Sequence, residues 1–407
     1  MTESIAVTGI GVVAPNGLGT EEYWAATQKG ISGIDRISRY DPGSYPTQLA
    51  GEVTDFVAGE HLASRLLPQT DRMTQMALVA SDWALADADL DPASVPEFDM
   101  GVVTASASGG FEFAQHELQK LWSKGPEYVS AYQSFAWFYA VNTGQISIRH
   151  GMRGPSGVLV TDQAGGLDAL GHARRHLRKG TGVVVSGGVD ASLSPWGLVS
   201  QLTTGRLSPT SDPERAYAPF DVSADGHLPG EGGAILVLER ASHARERGAR
   251  SYGTIAGYGA TFDPRPGSGR EPGLRRAVET ALADARVAPE AIDVVFADAA
   301  GLPDPDRAEA SALSAVFGPY AVPVTAPKTM TGRLYSGAAS LDAATALLAM
   351  RDGVVPPTLR VTEQAADCAI DLVRDAAREM TVRHALVLAR GHGGFNAAMV
   401  LRAPTAD

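Results

Sequence analysis

The chain has 407 residues and carries 34 Lys and Arg against 46 Asp and Glu, a formal charge of −12. Hydrophobic residues at 44% and charged residues at 20% are globular proportions that exclude extensive disorder, and an acidic balance argues against a nucleic-acid binder, which needs a basic face. A single cysteine excludes an internal disulfide and a cysteine-rich zinc site, and there is neither a basic-then-apolar leader nor a run of 18 apolar residues, so we expect a cytoplasmic protein with no signal peptide and no membrane span.

Short Val- and Ile-rich runs predict strands at 4–13, 100–106, 157–162, 182–190 and 234–239, then at 252–260, 292–300, 322–327, 384–391 and 396–402. Between many of them lie Ala- and Leu-rich stretches of helical period, at 75–88, 167–180, 274–285 and 341–353. Strands alternating with helices predict parallel βαβ units. The two halves look alike. VLVTDQAGGLDALGHA and VPVTAPKTMTGRLYSGAASLDAATALLAM each run from a Val-rich strand through a small-residue turn into a helix. VVVSGGVD and LVLARGHGG each end a later strand in glycines. We therefore expect an α/β fold of duplicated βαβ halves, 1–250 and 251–407, with an aromatic-rich insertion at about 107–150 belonging to neither repeat.

Several familiar motifs fail. Gly9 and Gly11 follow a strand, but Ala14 leaves a dinucleotide fingerprint incomplete, and there is no GxxxxGK[ST] and no GxSxG. His172 and His176 share a helix face with Arg174, Arg175, Arg178 and Lys179, which predicts a solvated basic face. Cys368, in TEQAADCAIDL, has no glycine turn or nearby base and reads as a buried structural thiol.

Four segments carry a resemblance: VTGIGVVAPNG at 7–17, RAYAPFDVSADGHLPGEGGAILVLE at 215–239, PKTMTGRLYSGAAS at 327–340 and GHGGFNAAMVL at 391–401. In this order they resemble the β-ketoacyl synthase branch of the thiolase fold over nearly the whole chain. The resemblance implies a five-layered α-β-α-β-α arrangement and no cofactor or metal. It also shows what is missing. The family's nucleophilic Cys, set at a helix N-terminus where the dipole and backbone N–H groups activate it, is replaced by Gln163 in Thr161-Asp162-Gln163-Ala164-Gly165-Gly166. A carboxamide has no ionisable proton and cannot form an acyl-enzyme thioester. The first catalytic His position holds Ala300, the second holds Arg333, and Lys328 remains. His392 stands where the family commonly has an aromatic gate. A carboxamide at the elbow with no His pair, together with SFAWFYAVNTGQISIRHGMRGPS at 134–156 and DPERAYAPFD at 212–221, resembles the chain length factors, the ketosynthase beta subunits of bacterial type II aromatic polyketide synthases.

That resemblance implies a heterodimer with a catalytic ketosynthase alpha subunit and an interface tunnel that holds the growing poly-β-ketone and sets its length. Phe111, Ala114 and Leu118 fall at i, i+3 and i+7 on one face of a helix over 109–122, the face that lines the tunnel end in that subfamily; Phe113 and Trp196 are further candidates. Two of the three face positions are smaller than Phe, which predicts a roomier channel. The acyl carrier protein is acidic in this family, so docking is expected mainly on the alpha subunit, or locally on the basic cluster 174–179. Arg333 is expected to fill the vacated pocket by pairing with an acid such as Asp162 or Glu231, and Gln163 to be a buried amide bonded to backbone. The alternative reading is a priming decarboxylase of malonyl carrier protein using Gln163.

Overall fold

The computed structural model describes residues 3–265 and 267–404. Its long strands fall into two sets with one internal order. In the first set, Ile5–Ala14, Met100–Ala105, Ser156–Leu159, Val183–Asp190 and Gly232–Arg240 stand side by side as third, second, fourth, fifth, first. In the second set, Gly253–Phe262, Val294–Phe296, Pro323–Thr325, His384–Gly391 and Phe395–Arg402 stand in the same order. The pairing senses also match: the second strand is parallel to the third and fourth, and the fifth is antiparallel to the fourth and first. The duplication expected from the sequence is therefore present at the level of topology. The expected parallel units are present, and the fifth strand of each set adds an antiparallel pairing to them. In the second set the cause is local, because residues 391–395 make a tight turn that leaves no length for a crossover helix. A short pairing of Ala6 with Thr254 and Val7 with Gly253 joins the two sets into one path.

Two helices, Gly165–Arg178 and Ser336–Asp352, pack between the sheets. The second has small or apolar residues all round, and every residue from Ser336 to Met350 is buried. Outside, Arg72–Asp87 covers the first sheet and Leu274–Ala285 the second, which completes the five layers α-β-α-β-α of the thiolase fold. Gly9 and Gly11, orphaned by the failed fingerprint, have a packing role. A Cβ there would stand 2.1 Å from Ala84 O and 2.0 Å from Ala80 O, so the outer helix lies directly on the strand backbone. Gly257 and Gly259 repeat the device in the second half, with Ala281 O at 2.1 Å and Ala277 O at 2.3 Å. Among the described residues no helix is long and apolar enough to cross a membrane.

Candidate functional site

Ser156–Leu159 runs into a turn at Thr161 and Asp162, and then a single 3₁₀ turn, Asp162–Ala164, leads into the central helix. Asp162 has φ +53°, and its carboxylate accepts the N–H of His392, tying the turn to the C-terminal glycine loop. Gln163 is 7% exposed and lines a cavity of about 280 Å3 together with Ala300, Arg333, Asp298, His227 and Tyr335. The structure thus gathers three of the four expected site positions round one space. The expected backbone bond to the Gln163 amide is absent among the described residues, and its buried Oε1 has no donor among them. The adjacent Ala164 N–H is already engaged by Thr161 O.

Arg333 pairs with neither acid suggested by the sequence. Its Nη2 stands 2.7 Å from Asp298 Oδ1, and Nη1 donates to Asp298 O at 2.7 Å and Ala299 O at 3.1 Å. The two side chains are 4% and 3% exposed. Both expected partners are committed elsewhere: Asp162 holds His392 N, and Glu231, fully buried, is held by Arg39 and Arg72. Burial alone would raise the Asp298 carboxyl, but the Arg333 guanidinium, with Lys328 and Arg390 beyond it, outweighs that and holds it below the usual carboxylate range. The strand before Asp298 ends at Phe296, short of the predicted 300, because the Glu309 carboxylate takes the N–H groups of Asp298 (2.7 Å) and Ala299 (2.9 Å), and Ala299 turns into a left-handed conformation with φ +50°. This turn carries Asp298 O and Oδ1 into reach of Arg333.

Ala300 presents a methyl group to the cavity and its carbonyl accepts from His227 Nδ1 at 3.2 Å. That bond fixes the proton on Nδ1, and burial, then the positive charge of Arg333, press the His227 pKa down to about 3. Lys328 does not line the cavity. Its ammonium is 2.7 Å from Asp342 Oδ2 and also donates to Ala297 O, deep in the core. Sequence reasoning missed Asp298 and His227. Asp298 did leave a signal, an acid following the apolar run 294–297 inside the predicted strand, which needs a cation nearby.

The tunnel candidates sit on Phe111–Lys124 and Pro195–Leu202. Phe111 stacks on Trp196, with ring centroids 4.9 Å apart and planes at 9°, and Trp196 N donates to Gln115 Oε1 at 2.8 Å. Ala114 is buried, Leu118 half-buried and Trp196 41% exposed. Phe113, two residues from Phe111, faces away from it into a depression with Arg39, Asp71 and His116. Near the helix start Tyr132, Trp137, Phe138 and Tyr139 are exposed, and the edge strand Ser156–Leu159 has one open side.

The basic cluster is smaller than the sequence suggests. Arg174 is 4% exposed and reaches Asp284 and Ala256 O across the layer, because the helix is sandwiched between sheets. Only Arg175 and Lys179 of the four are exposed, beside the stacked rings of His172 and His176. Cys368 is buried, and burial pushes its thiol up to about 11, as befits a structural cysteine.

Comparison with known proteins places this geometry. The models of the beta-ketoacyl synthase N-terminal and C-terminal domains match residues 2–244 and 252–362. The ketoacyl synthase beta subunit of the tetracenomycin polyketide synthase of Streptomyces glaucescens is 64% identical over 98% of both chains. The actinorhodin polyketide beta-ketoacyl synthase 2 of Streptomyces coelicolor is 60% identical over 99% of this chain and 100% of its own. Among solved structures, the ishigamide ketosynthase/chain length factor superposes with a TM-score of 0.91 at 28% identity, covering 100% of both chains. A type II polyketide ketosynthase in complex with its acyl-carrier protein and bound to a hexaketide superposes with a TM-score of 0.88 at 26% identity, over 99% of this chain and 100% of that one. The chain belongs to the beta-ketoacyl synthase family, and within it to the ketosynthase beta subunits, or chain length factors, of type II polyketide synthases.

Proposed function

We propose that this chain is the chain-length-setting subunit of a type II polyketide synthase, paired with a catalytic ketosynthase alpha subunit and doing no condensation itself. One observation carries the reading: the positions where a condensing enzyme keeps its reagents hold no group suited to proton transfer near neutral pH. Gln163 does not titrate, Ala300 has no functional group, Arg333 is locked as a cation against Asp298, and the imidazole of His227 is kept neutral. General acid–base chemistry needs a group whose pKa lies near the working pH. His392, the other imidazole at the cavity, is exposed to solvent.

The subunit then acts by what it encloses. A poly-β-ketone must be held extended and dry or it cyclises. Elongation stops when the next two carbons no longer fit against Phe111, Ala114 and Leu118, with Trp196 behind Phe111. The exposed aromatics at 132–139 and the open edge of Ser156–Leu159 supply the kind of apolar, hydrogen-bond-hungry surface that a partner subunit covers. The acidic carrier protein docks mainly on the alpha subunit, since this chain is itself strongly negative. We read the chain as two thiolase-like halves, 1–250 and 251–407.

The test is co-expression with the alpha subunit, co-purification, and mass spectrometry of the polyketides. A stable complex in which Ala114→Phe shortens the major product supports the reading; a chain that condenses malonyl units alone rejects it. In the same set, the isolated chain is mixed with malonyl carrier protein. Acetyl carrier protein that disappears with Gln163→Ala would instead establish the priming decarboxylase.

A further inference from the structure

We propose that Asp71, outside both the cavity and the tunnel face, is the positioning residue that sets where the tunnel helix Phe111–Lys124 stands, and through it the tunnel's depth. The proposal rests on the tunnel reading above.

The first N–H groups of any helix need acceptors from outside it. Phe111–Lys124 begins at Gly110, which has no side chain to offer. Asp71 supplies the acceptor from another element: its Oδ2 accepts Phe113 N at 2.8 Å. Its other oxygen, Oδ1, accepts Met73 N at 2.8 Å and so caps Arg72–Asp87, the helix that covers the first sheet. One carboxylate, 2% exposed, therefore caps two helices at once and ties the tunnel helix to the scaffold. The fit is close. A Cβ on Gly110 would lie 2.2 Å from Ala136 O and 2.8 Å from Asp71 Cβ, so the helix start is pressed directly against Asp71.

An adjacent residue in each segment reinforces the clamp. Glu112 pairs with Arg39, Arg39 Nη1 stands 3.1 Å from Glu231 Oε2, and Arg72 Nη2 stands 2.8 Å from Glu231 Oε1. Glu231, fully buried, also accepts Val53 N at 3.0 Å, so this chain of charges ends in the core. Asp71 grips Phe113 within one turn of Phe111 and Ala114, two of the three length-setting positions. Burial raises its carboxyl to about 7, and the Phe113 and Met73 N–H groups pull it back only in part.

The variant Asp71→Ser separates the two tasks. A serine hydroxyl still caps Arg72–Asp87 but is one atom too short to hold Phe113 N as well. In the alpha–beta complex at fixed concentration, the ratio of the major polyketide to its two-carbon neighbours falls by about tenfold, the discrimination one charge-assisted hydrogen bond carries. Glu112→Gln, which loosens the same helix end through Arg39, shifts the ratio in the same direction, and it decides alone if Asp71→Ser does not assemble. Ala114→Phe is run beside them. If Ala114→Phe shortens the product while the ratio is unchanged in Asp71→Ser and Glu112→Gln, the positioning role is wrong and the tunnel stands. If Ala114→Phe is inert as well, the tunnel reading falls and this inference with it.

Discussion

Replacing Arg333 by Ala isolates the buried ion pair at the centre of the candidate site. The pair Arg333–Asp298 is nearly inaccessible to water, with N and O 2.7 Å apart. In a medium of effective dielectric about 20, opposite charges ~4 Å apart attract by about 4 kcal/mol. Deleting one partner of a buried pair typically costs about 3–5 kcal/mol, because the other charge is left without compensation. Two local details push the figure to the low end. Asp298 Oδ1 also accepts Arg390 N at 2.8 Å, and Ala299 O keeps the Tyr217 hydroxyl at 2.8 Å. Asp298 O loses its donor, and Arg390 O loses the 3.4 Å bond from Arg333 Nη2. We therefore expect Arg333→Ala to lose about 3 kcal/mol in urea unfolding of the purified complex at one protein concentration.

The pH dependence gives a second readout. With Arg333 present, Asp298 is held below its unfolded pKa, so its contribution is present at neutral pH and lost as pH falls through the folded value. Without Arg333, burial dominates and the carboxyl rises, so the variant binds a proton on folding and recovers as pH falls. The gap between the two proteins should be widest near neutrality and narrow below about pH 5. Arg333→Met combined with Asp298→Asn removes both charges and should recover most of the loss. An unchanged urea midpoint for Arg333→Ala, or a gap that stays constant on acidification, would refute the pairing as a stabilising element.

Ala114→Phe or Leu118→Phe adds bulk to the proposed tunnel face, where Ala114 is buried and Leu118 half-buried, and the major polyketide should shorten by one or more two-carbon units; unchanged product mass from an intact complex would place the length-setting wall elsewhere. Gln163→Ala removes an oxygen that has no donor, so unfolding free energy should change by less than about 1 kcal/mol; a larger loss in a urea titration would reveal a partner for the amide. Asp71, Asp190 and Asp306 are raised, chiefly by burial, to about 7, 6 and 7. Each folds with a proton that the unfolded chain releases, so stability should fall as pH climbs from about 4 to about 7, and the thermal midpoint should be higher at about pH 5.5 than at about pH 8. A midpoint that rises across that interval would contradict it.

Local rules reached the elements and stopped at the partners. Runs of Val and Ile placed the strands, and helical period placed Arg72–Asp87 and Leu274–Ala285 to within a few residues, because a strand or helix buried on a defined face writes its period into its own sequence. The motif positions Gln163, Ala300 and Arg333 were equally legible, being short and contiguous with glycines. What failed was long-range pairing of charge. Arg333 reached Asp298 because Glu309 ended a strand early, and the periodicity of that strand says nothing about a carboxylate on the following helix. Arg174 looked like one more solvated cation until a second sheet closed over its helix. Asp71 and Phe113 meet across two helices whose relative placement no local pattern encodes. These pairs share a logic. A cation substituted into a dry pocket must find an anion at contact distance, or the fold is lost. A guanidinium at position 333 is therefore tolerable only with a carboxylate held as an anion at 298, and the two residues are best read as one unit. With that pair in place neither Arg333 nor Asp298 is free to move a proton, which is why the proposed role rests on shape.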